Sequence, residues 1–428
     1  MKRLIKNGQC LVDGHLQVRD ILIADGKIEK IGQHLAANVP VGQIIDAQGL
    51  FVSPGLVDLH VHLREPGQTD KETVKTGSLA AAHGGYTTIA AMPNVIPAPD
   101  TPKRMQDMLA LNQRDGAVHM VQYATITTDR GGDELVDMAG LKAAGAFAFS
   151  NDGNGVQTAG TMYQGMKQAV ALNMAVVAHA EDDSLTYGGV MHEGGVSKRL
   201  GLPGIPSVSE TAQVARDVAL AAATGVHYHV CHVSSAATVQ VIRAAKAAGV
   251  NVTCEVSPHH LLLSDEVITS DNAMLKMNPP LGSEQDRQAL IAALLDGTID
   301  VIATDHAPHT DAEKAQSMLK APFGITGSET AFAMLYTRFV KTGLFSLSQL
   351  INWMAVQPAV LFGLNAGQLT EGASADLALF DLTTPFTINA NDFLSKGHNS
   401  PFIGEQALGK TVRTIVSGQD VYPLRDIN

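Results

Sequence analysis

The segment from Asp58 to Pro66 places two histidines and an arginine at alternating positions. The apolar run that carries the first histidine opens after a Ser-Pro pair, and the segment closes at a Pro-Gly pair, which favours a buried strand over a helix. Because side chains alternate along a strand, His60, His62 and Arg64 leave the backbone on one side. On a helix the same spacing would splay them by about 200°. The strand therefore predicts two imidazoles placed to bind a divalent transition metal, most often zinc.

Composition narrows the class of protein. With 428 residues, 45% of them hydrophobic, the chain can bury a large core and form more than one folding unit. A formal net charge of -12 argues against nucleic acid or an anionic membrane as a partner. No apolar run approaches the roughly 18 residues of a membrane span, and the basic start of the chain lacks the apolar core of a signal peptide. We therefore expect a globular, cytoplasmic protein that acts on a small-molecule substrate.

The cysteines bear on redox chemistry. Cys10, Cys231 and Cys254 are too few and too scattered for a disulfide framework or a cysteine zinc cluster. They predict buried free thiols. Nothing in the sequence fixes the oligomeric state, and a homodimer is the assembly we expect.

Both ends of the chain show short strands and turns. These apolar runs occupy residues 21–24, 27–31, 376–381, 412–416 and 420–422. The first two flank Asp25-Gly26, a pair suited to a two-residue hairpin turn. Half a β-sandwich at either end would be marginally stable alone. We therefore expect residues 1–52 and 366–428 to pair as one small β-sandwich domain, with residues 53–365 forming the domain between them.

Between the ends, apolar runs alternate with amphipathic, alanine-rich segments. Besides the run at His60, strands are predicted at residues 87–91, 120–124, 146–149, 175–178, 228–231, 251–254 and 301–303. Helices are predicted at residues 133–144, 209–224, 235–248 and 283–295, several with a Ser or Asp cap and a nearby Gly. Eight strand-then-helix units in about 300 residues predict an α/β fold of the (β/α)8 TIM-like barrel type. A doubly wound open sheet is the main alternative.

Barrel enzymes place their reacting side chains at the carboxyl ends of the strands. In this chain, metal-binding side chains follow the fourth, fifth, sixth and last predicted strands. With the first pair, the candidate metal ligands are His60, His62, Asp152, His179, His232 and Asp305. Four imidazoles and two carboxylates in these positions indicate a metal site. For Asp152-Gly153 the alternative is a simple turn.

Other histidines are weaker candidates. His227 and His229 lie at the amino end of their run, where barrel residues serve stability, so a structural role is expected. His259-His260 could approach the site, but the ligand set is complete without them.

Near the last strand, alternation separates Asp305 from His306, and Pro308 turns the chain before His309. We favour Asp305 as metal ligand and catalytic base, and His309 as a substrate contact. The charged segment 310–321 lacks apolar periodicity and predicts a loop that covers the site when substrate binds. An ordinary surface loop is the alternative.

Six motifs extend this pattern along the chain. They are His60-Val-His62-Leu-Arg64-Glu-Pro66-Gly67, Met92-Pro-Asn94, His179-Ala-Glu181, Cys231-His232-Val-Ser-Ser, Met277-Asn278-Pro-Pro and Ala303-Thr-Asp305-His-Ala-Pro-His309. Together they resemble the signature blocks of the dihydroorotases of the class I bacterial type, in the amidohydrolase superfamily. The resemblance covers nearly the whole chain.

The resemblance implies a role for each motif residue. His60, His62 and Asp305 would hold one zinc ion and His179 and His232 a second, with Asp152 as the bridge. The substrate contacts implied are His62, Arg64, Asn94, Asn278, His309, Phe323 and Gly324. Many relatives bridge their metals with a carboxylated lysine, which is longer than Asp152. With the shorter side chain, the subunit could bind either two zinc ions or one.

The chemistry expected of such a site is hydrolysis of a cyclic amide. Two zinc ions sharing a hydroxide lower the pKa of bound water toward about 7 and polarise a carbonyl. Asp305 can take a proton during attack and return it to the leaving ring nitrogen. The resemblance then implies interconversion of N-carbamoyl-L-aspartate and (S)-dihydroorotate in de novo pyrimidine biosynthesis.

Two alternatives to this function remain. One is a hydantoinase or allantoinase that acts on a related cyclic amide, and the other is a non-catalytic, metal-free scaffold. Arg64 with Asn94 forms a carboxylate clamp that a neutral ring does not need, unless Arg64 pairs with Glu65 or Asp70 instead. The six retained ligands argue against a scaffold.

Overall fold

The structure is a computed structural model that describes residues 2–35, 40 and 43–423. The rest of the predicted terminal domain, residues 1, 36–39, 41–42 and 424–428, lies outside the described residues. The strands are β1 (Lys2–Val12), β2 (His15–Ala24), β3 (Lys27–Gly32), β4 (Ile44–Asp46), β5 (Phe51–Pro54), β6 (Leu56–Val61), β7 (Tyr86–Ala91), β8 (His119–Gln122), β9 (Val176–Ala178), β10 (Met191–His192), β11 (Gly204–Ile205), β12 (Tyr228–Val230), β13 (Val252–Val256), β14 (Val301–Ile302), β15 (Leu377–Asp381), β16 (Phe386–Thr387), β17 (Gln406–Ala407), β18 (Lys410–Val416) and β19 (Gln419–Tyr422). The helices are α1 (Val74–His83), α2 (Pro102–Asp115), α3 (Met138–Ala143), α4 (Ala159–Ala171), α5 (Gly195–Leu200), α6 (Val208–Thr224), α7 (Ala236–Ala247), α8 (Pro258–Leu262), α9 (Glu284–Leu295), α10 (Asp311–Lys314), α11 (Ala331–Leu335), α12 (Leu347–Ile351) and α13 (Gln357–Phe362).

Strands from both ends of the chain form one mixed sheet, in the order β19-β18-β15-β5-β1-β2-β3, with β4 paired to β1. The predicted hairpin between β2 and β3 is confirmed, and Asp25 and Gly26 have φ of 49° and 77° at its turn. β5 joins the two ends, because it runs parallel to β1 and pairs antiparallel with β15, Phe51 lying opposite Phe380. The two termini therefore lie side by side in a single sheet.

A buried ion pair also ties the two ends together. Arg3 Nη2 lies 2.8 and 2.9 Å from the two carboxylate oxygens of Asp420, and Arg3 Nη1 donates to the carbonyl of Gly418 at 2.7 Å. The side chains of Arg3 and Asp420 are only 5% and 3% exposed. Removing one partner of a buried pair typically costs about 3 to 5 kcal/mol, because the other charge stays buried without compensation. This pair therefore locks the first strand to the last.

The central part of the chain contains parallel strands separated by helices. β6, β7 and β8 form one parallel set, and β9, β12, β13 and β14 form another. Single parallel bridges connect the sets, from Ala124 to Phe149 and Phe149 to Val176 on one side and from Val61 to His306 on the other. Apolar side chains from these strands and from the surrounding helices share one large buried cluster. The result is a mixed α/β fold with an additional sheet built from both chain ends.

The predicted elements agree with the structure except at three places. The segment predicted as the fourth strand pairs with its neighbours only through the bridges at Phe149. The helix predicted from residue 133 begins only at Met138, because Leu135 bridges Thr127 and Val136 donates to the carbonyl of Ile126, which keeps the preceding residues extended. The predicted first strand was also too long. β6 ends at Val61.

Two further expectations can be compared directly with the described residues. All three cysteines are buried and free, as predicted, and burial raises the pKa of the Cys10 thiol to about 12. Among the residues that the structure describes, the helices are too short or too polar to cross a membrane.

Candidate active site

The six predicted metal ligands converge at one end of the parallel strands. His60 lies in β6, and the other five follow the ends of their strands or of the bridged segment at Phe149. None of the six is more than 6% exposed. Burial of so many ionisable side chains requires partners for each of them. Their mutual distances show which partners these are.

His60, His62 and Asp305 form a first group whose ligand atoms all lie within 4.8 Å of one another. Asp305 Oδ1 is 2.9 Å from His62 Nε2 and 3.4 Å from His60 Nε2. The two-residue spacing of the histidines places both rings on one side, as the strand interpretation predicted. The first group therefore presents two imidazole nitrogens and a carboxylate oxygen to one point.

Asp152, His179 and His232 form a second group, whose ligand atoms also lie within 4.8 Å of one another. His179 Nδ1 lies 3.0 Å from His232 Nε2, which in turn lies 3.7 Å from Asp152 Oδ1. Asp152 also faces the first group, its Oδ1 at 3.3 Å from His60 Nε2 and its Oδ2 at 3.6 Å from His62 Nε2. The carboxylate of Asp152 thus stands between the two groups, where a bridging ligand would be needed.

The unsatisfied atoms fit a metal centre. His60 Nε2 and Asp152 Oδ1 are buried, lie 3.3 Å apart and make no hydrogen bond. Buried polar atoms normally have a partner, because leaving them without one costs free energy. Nitrogen and oxygen donors of histidine and aspartate are the ligands that zinc accepts in catalytic sites. The donor set of these residues therefore suits one or two divalent metal ions.

A layer of hydrogen bonds behind the ligands orients the first pair of rings. His60 Nδ1 lies 2.7 Å from Glu255 Oε1, and His62 Nδ1 lies 2.8 Å from Asn94 Oδ1. In each ring this contact uses Nδ1 and leaves Nε2 for a metal. Asn94 was predicted to contact substrate, and the structure also gives it this orienting contact. Glu255 was not predicted, although a carboxylate within the apolar run of β13 was a usable signal.

The carboxylates of the site are held ionised. Burial acts to raise the pKa of Asp305, but the neighbouring His60, His62 and His232 outweigh it and hold that pKa below the usual range. Burial likewise acts to raise the pKa of Glu255, but His60 foremost brings it to about 2. Asp305 can therefore accept a proton at neutral pH, as a catalytic base must.

Three residues of the site have left-handed backbone conformations that favour glycine. The φ angles are 59° at Arg64, 32° at His232 and 50° at Asp305. Such conformations in non-glycine residues concentrate at functional sites, where the surrounding structure holds them. At Arg64 this angle shows that strand alternation does not extend so far, which corrects the prediction of a continuous strand. The side chain nevertheless reaches the same cavity.

Arg64 is a buried cation of the site. The residue is 8% exposed, and its Nε donates to the carbonyl of Pro308 at 3.3 Å. Burial lowers the pKa of its guanidinium to about 10. Among the described residues Arg64 makes no ion pair, and Glu65 instead accepts a hydrogen bond from Val74 N at 2.9 Å. The alternative of a structural pair with Glu65 or Asp70 therefore does not hold.

These side chains line a single cavity of about 200 Å³. Every predicted site residue except His60 contributes to its wall, including Asn278, His309, Phe323 and Gly324, whose contact with substrate stays a prediction. His309 Nε2 donates to the carbonyl of Phe323 at 2.7 Å. At Gly324, where φ is 123°, an added Cβ would lie 2.7 Å from that of Ala307. Only glycine allows the backbone to pass this close to the cavity.

The segment after His309 is more ordered than its sequence predicted. It contains the short helix α10, and Lys314 and Met318 are 3% and 0% exposed. Lys314 Nζ donates to the carbonyls of Gly324 at 2.8 Å and Pro322 at 3.1 Å. The charged composition did not indicate a buried lysine, because Lys314 donates to backbone carbonyls and not to a carboxylate. Closure of the segment over substrate stays a prediction.

The remaining histidines lie outside the wall of the cavity. His260 contacts Ser257 Oγ at 2.6 Å and the carbonyl of Pro279 at 3.0 Å. His229 Nε2 lies 3.2 Å from Glu255 Oε2, on the far side of that carboxylate from the metal ligands. Neither residue joins the ligand set, in agreement with the structural role expected for them.

Solved structures resemble this architecture over nearly the whole chain. L-hydantoinase (dihydropyrimidinase) from Arthrobacter aurescens superposes with a TM-score of 0.86, at 26% identity over 98% of this chain and 96% of that chain. This likeness places the fold among the amidohydrolases. A family model described as dihydro-orotase-like matches residues 49–238, which include five of the six predicted ligands.

Sequence relatives define the family more narrowly. The dihydroorotase of Lactiplantibacillus plantarum is 62% identical over 424 residues, 99% of either chain. The dihydroorotase of Ligilactobacillus salivarius is 59% identical over 424 residues, again 99% of either chain. At this identity and coverage, the chain belongs to the dihydroorotase family.

Proposed function

We propose that this protein is a zinc-dependent cyclic amidohydrolase that interconverts N-carbamoyl-L-aspartate and (S)-dihydroorotate in de novo pyrimidine biosynthesis. The observation that carries the proposal is the meeting, in one cavity, of two groups of metal ligands and the buried guanidinium of Arg64. Metal ions held by the ligand groups would act on the amide of the substrate, and the guanidinium would pair with the carboxylate of the same small molecule. Family membership supports the same substrate pair.

The metal ions would be held by His60, His62 and Asp305 on one side and by His179 and His232 on the other, with Asp152 between them. When bound, zinc supplies Lewis acidity for the amide carbonyl and lowers the pKa of water. We infer two ions per subunit, because Asp152 faces both groups. The alternative is one ion per subunit, with the second site empty, because the side chain of Asp152 is short for a bridging ligand.

The protein's own side chains perform the proton transfers. Asp305 is ionised and lies 2.9 Å from His62 Nε2, at the edge of the cavity where the amide carbon would lie. It would take the proton of the attacking water and deliver it to the ring nitrogen as the C–N bond breaks. In the reverse direction the same carboxylate would remove the proton from the ureido nitrogen as the ring closes.

Arg64 would orient the substrate. A guanidinium forms two parallel hydrogen bonds with a carboxylate, which fixes both its position and its rotation. Asn278 and His309 flank the same cavity and each has a buried side-chain atom without a hydrogen bond, Asn278 Oδ1 and His309 Nδ1. These atoms supply further contacts for the polar ring of the substrate. Neither hydantoin nor allantoin carries a carboxylate for Arg64.

The fold supports this assignment. We infer that β6, β7, β8, the segment at Phe149, β9, β12, β13 and β14 close into a (β/α)8 barrel, since parallel pairings link each to the next and the last returns to the first. We also propose the division into a composite β domain, residues 1–52 and 366–428, and a barrel domain, residues 53–365. A cytoplasmic location and a homodimer remain predictions.

The experiment that tests the proposal combines metal analysis with two substrates. Full-length protein would be purified, its zinc content measured, and its activity assayed on dihydroorotate and on hydantoin. We expect one to two zinc ions per chain and a kcat/KM for dihydroorotate far above that for hydantoin. Preference for hydantoin, or full activity after complete removal of metal, would refute the proposal.

A further inference from the structure

A row of polar side chains leads from β12 and β13 to the metal ligand His60. It consists of His227, His229, Thr253, Glu255 and His60. His229 is paired with Thr253 across the two parallel strands. Two-residue spacing brings His227 to the face of His229 and Glu255 to the face of Thr253. His229, Glu255 and His60 are 0%, 1% and 0% exposed, whereas His227 and Thr253 are partly exposed.

Consecutive members of the row lie within hydrogen-bond distance. Thr253 Oγ1 is 2.8 Å from His227 Nε2 and 2.7 Å from His229 Nδ1. Glu255 Oε2 is 3.2 Å from His229 Nε2, and its Oε1 is 2.7 Å from His60 Nδ1. The bonds therefore run without a break from His227 to a metal ligand. His227 itself lines a cavity of about 360 Å³ at the amino ends of the strands.

Glu255 and Thr253 connect the rings of the row. Glu255 uses one carboxylate oxygen for His60 Nδ1 and the other for His229 Nε2. A hydroxyl can donate one hydrogen bond and accept others, so Thr253 can serve both His227 and His229. Burial lowers the pKa of His227 to about 4.

We propose that Thr253 and His229 are positioning residues for the metal ligand His60, acting through Glu255. The hydroxyl of Thr253 holds the His229 ring at Nδ1. His229 then holds the Glu255 carboxylate in the orientation that accepts from His60 Nδ1, and the Nε2 lone pair of His60 stays free for metal. The inference rests on the proposed metal site and extends its determinants to a hydroxyl three hydrogen bonds away.

A matched pair of substitutions isolates the hydroxyl. Thr253→Val keeps the shape of the side chain and removes the hydroxyl, whereas Thr253→Ser keeps the hydroxyl. Zinc affinity would be measured on full-length, metal-depleted protein by competition with a chromophoric chelator. We expect Thr253→Val to weaken zinc binding by up to about 10-fold, the lower range for hydrogen-bond partners of metal ligands. Thr253→Ser should stay within about twofold of the unsubstituted protein.

A second readout is independent of metal. The ¹⁵N chemical shifts of the imidazole nitrogens, recorded on metal-free protein, report the tautomer of each ring. We expect the His60 shifts of Thr253→Ser to match those of the unsubstituted protein and those of Thr253→Val to differ from them, because the effect passes through His229 and Glu255. A role of Thr253 confined to its own surroundings would leave the His60 shifts unchanged.

A substitution of Glu255 tests the middle of the row. Glu255→Gln keeps the shape but places an N–H where His229 now donates, so we expect about a 10- to 100-fold loss of zinc affinity. Unchanged affinity and unchanged shifts in Thr253→Val would overturn the proposal, as would equal losses in Thr253→Val and Thr253→Ser. If the unsubstituted protein bound no zinc, the proposed function would fail, while the metal-free shifts would still show whether Thr253 acts on His60.

Discussion

Arg64 donates to the carbonyl oxygen of Pro308 across 3.3 Å, and this backbone contact takes the place of a carboxylate partner within the described chain. The guanidinium is buried at the wall of the candidate active site. A buried charge is costly unless it is paired, so the arrangement is stabilised when an anion binds beside it. The carboxylate of dihydroorotate is such an anion.

Arg64→Met should therefore impair the turnover of dihydroorotate. Charge-assisted hydrogen bonds contribute about 1.5 to 3 kcal/mol each, so losing one or two should lower kcat/KM roughly 10-fold to several hundred-fold. Residual activity on hydantoin, a neutral ring, should change little. Both activities would be measured on one sample of known zinc content. Parallel loss of the two activities with zinc intact would assign Arg64 a structural role.

Asp305→Asn should reduce turnover of dihydroorotate by at least about 100-fold, because the amide cannot carry the proton between water and the ring nitrogen. Asp305 also belongs to the first ligand group, so zinc must be quantified on the same sample. A substituted protein with full zinc and nearly normal turnover would exclude Asp305 as the base.

Asp152→Ala should empty the second metal site more than the first. His60, His62 and Asp305 would still supply three ligands to one ion, whereas His179 and His232 would supply only two to the other. Equilibrium dialysis over a range of free zinc, followed by elemental analysis, would give the affinity of each of the two binding steps. Equal weakening at both sites would contradict a bridging role for Asp152.

The contact between His119 and Asp376 predicts a pH dependence of stability. His119 Nε2 lies 3.2 Å from Asp376 Oδ1 and connects the start of β8 to the residue before β15. The hydrogen bond to Asp376 raises the pKa of His119 above 6.5, with burial opposing it. A raised histidine pKa means that the folded state holds the proton more tightly than the unfolded chain does. The stabilisation is therefore present below pH 6.5 and is lost as the pH rises through the higher, folded-state value.

His119→Gln should remove this contribution. The melting temperature of the unsubstituted protein should exceed that of His119→Gln at about pH 6, and the difference should shrink as the pH rises through the folded-state pKa of His119. The His119 side chain is 45% exposed, so solvent screening keeps the effect small. A difference that stays constant from pH 6 to pH 9 would show that the substitution acts through packing and not through the charge on His119.

Much of the candidate site was predictable because strand geometry is regular. A two-residue spacing fixes the side to which His60 and His62 point, and parallel strands bring their carboxyl ends to one edge, so Asp152 and His179 could be placed beside them from their order in the chain. The preference for Asp305 over His306 followed from the same alternation. In the structure His306 instead accepts hydrogen bonds from Gly327 N and Ser328 N, away from the metal ligands.

Other features depend on contacts that sequence patterns do not encode. Glu255 forms a hydrogen bond with His60 although it lies 195 residues later in the chain, and no sequence periodicity predicts that contact. Lys314 lies in a charged segment, yet it is buried because three backbone carbonyls surround its ammonium group. The late start of α3 depends on the bridge between Thr127 and Leu135. Each of these requires the positions of distant residues, which local propensity does not supply.

The composite terminal sheet has a consequence for biosynthesis. β5 emerges early from the ribosome, but its antiparallel partner β15 begins at Leu377, so Phe51 must wait for Phe380 before that edge is paired. Pairing between segments so distant in sequence is slow, and an unpaired apolar strand can associate with other chains in the meantime. Arg3 likewise finds Asp420 only after 417 further residues have been made. A chain that stops before β15 therefore leaves β5 as an open edge on which nascent chains can aggregate.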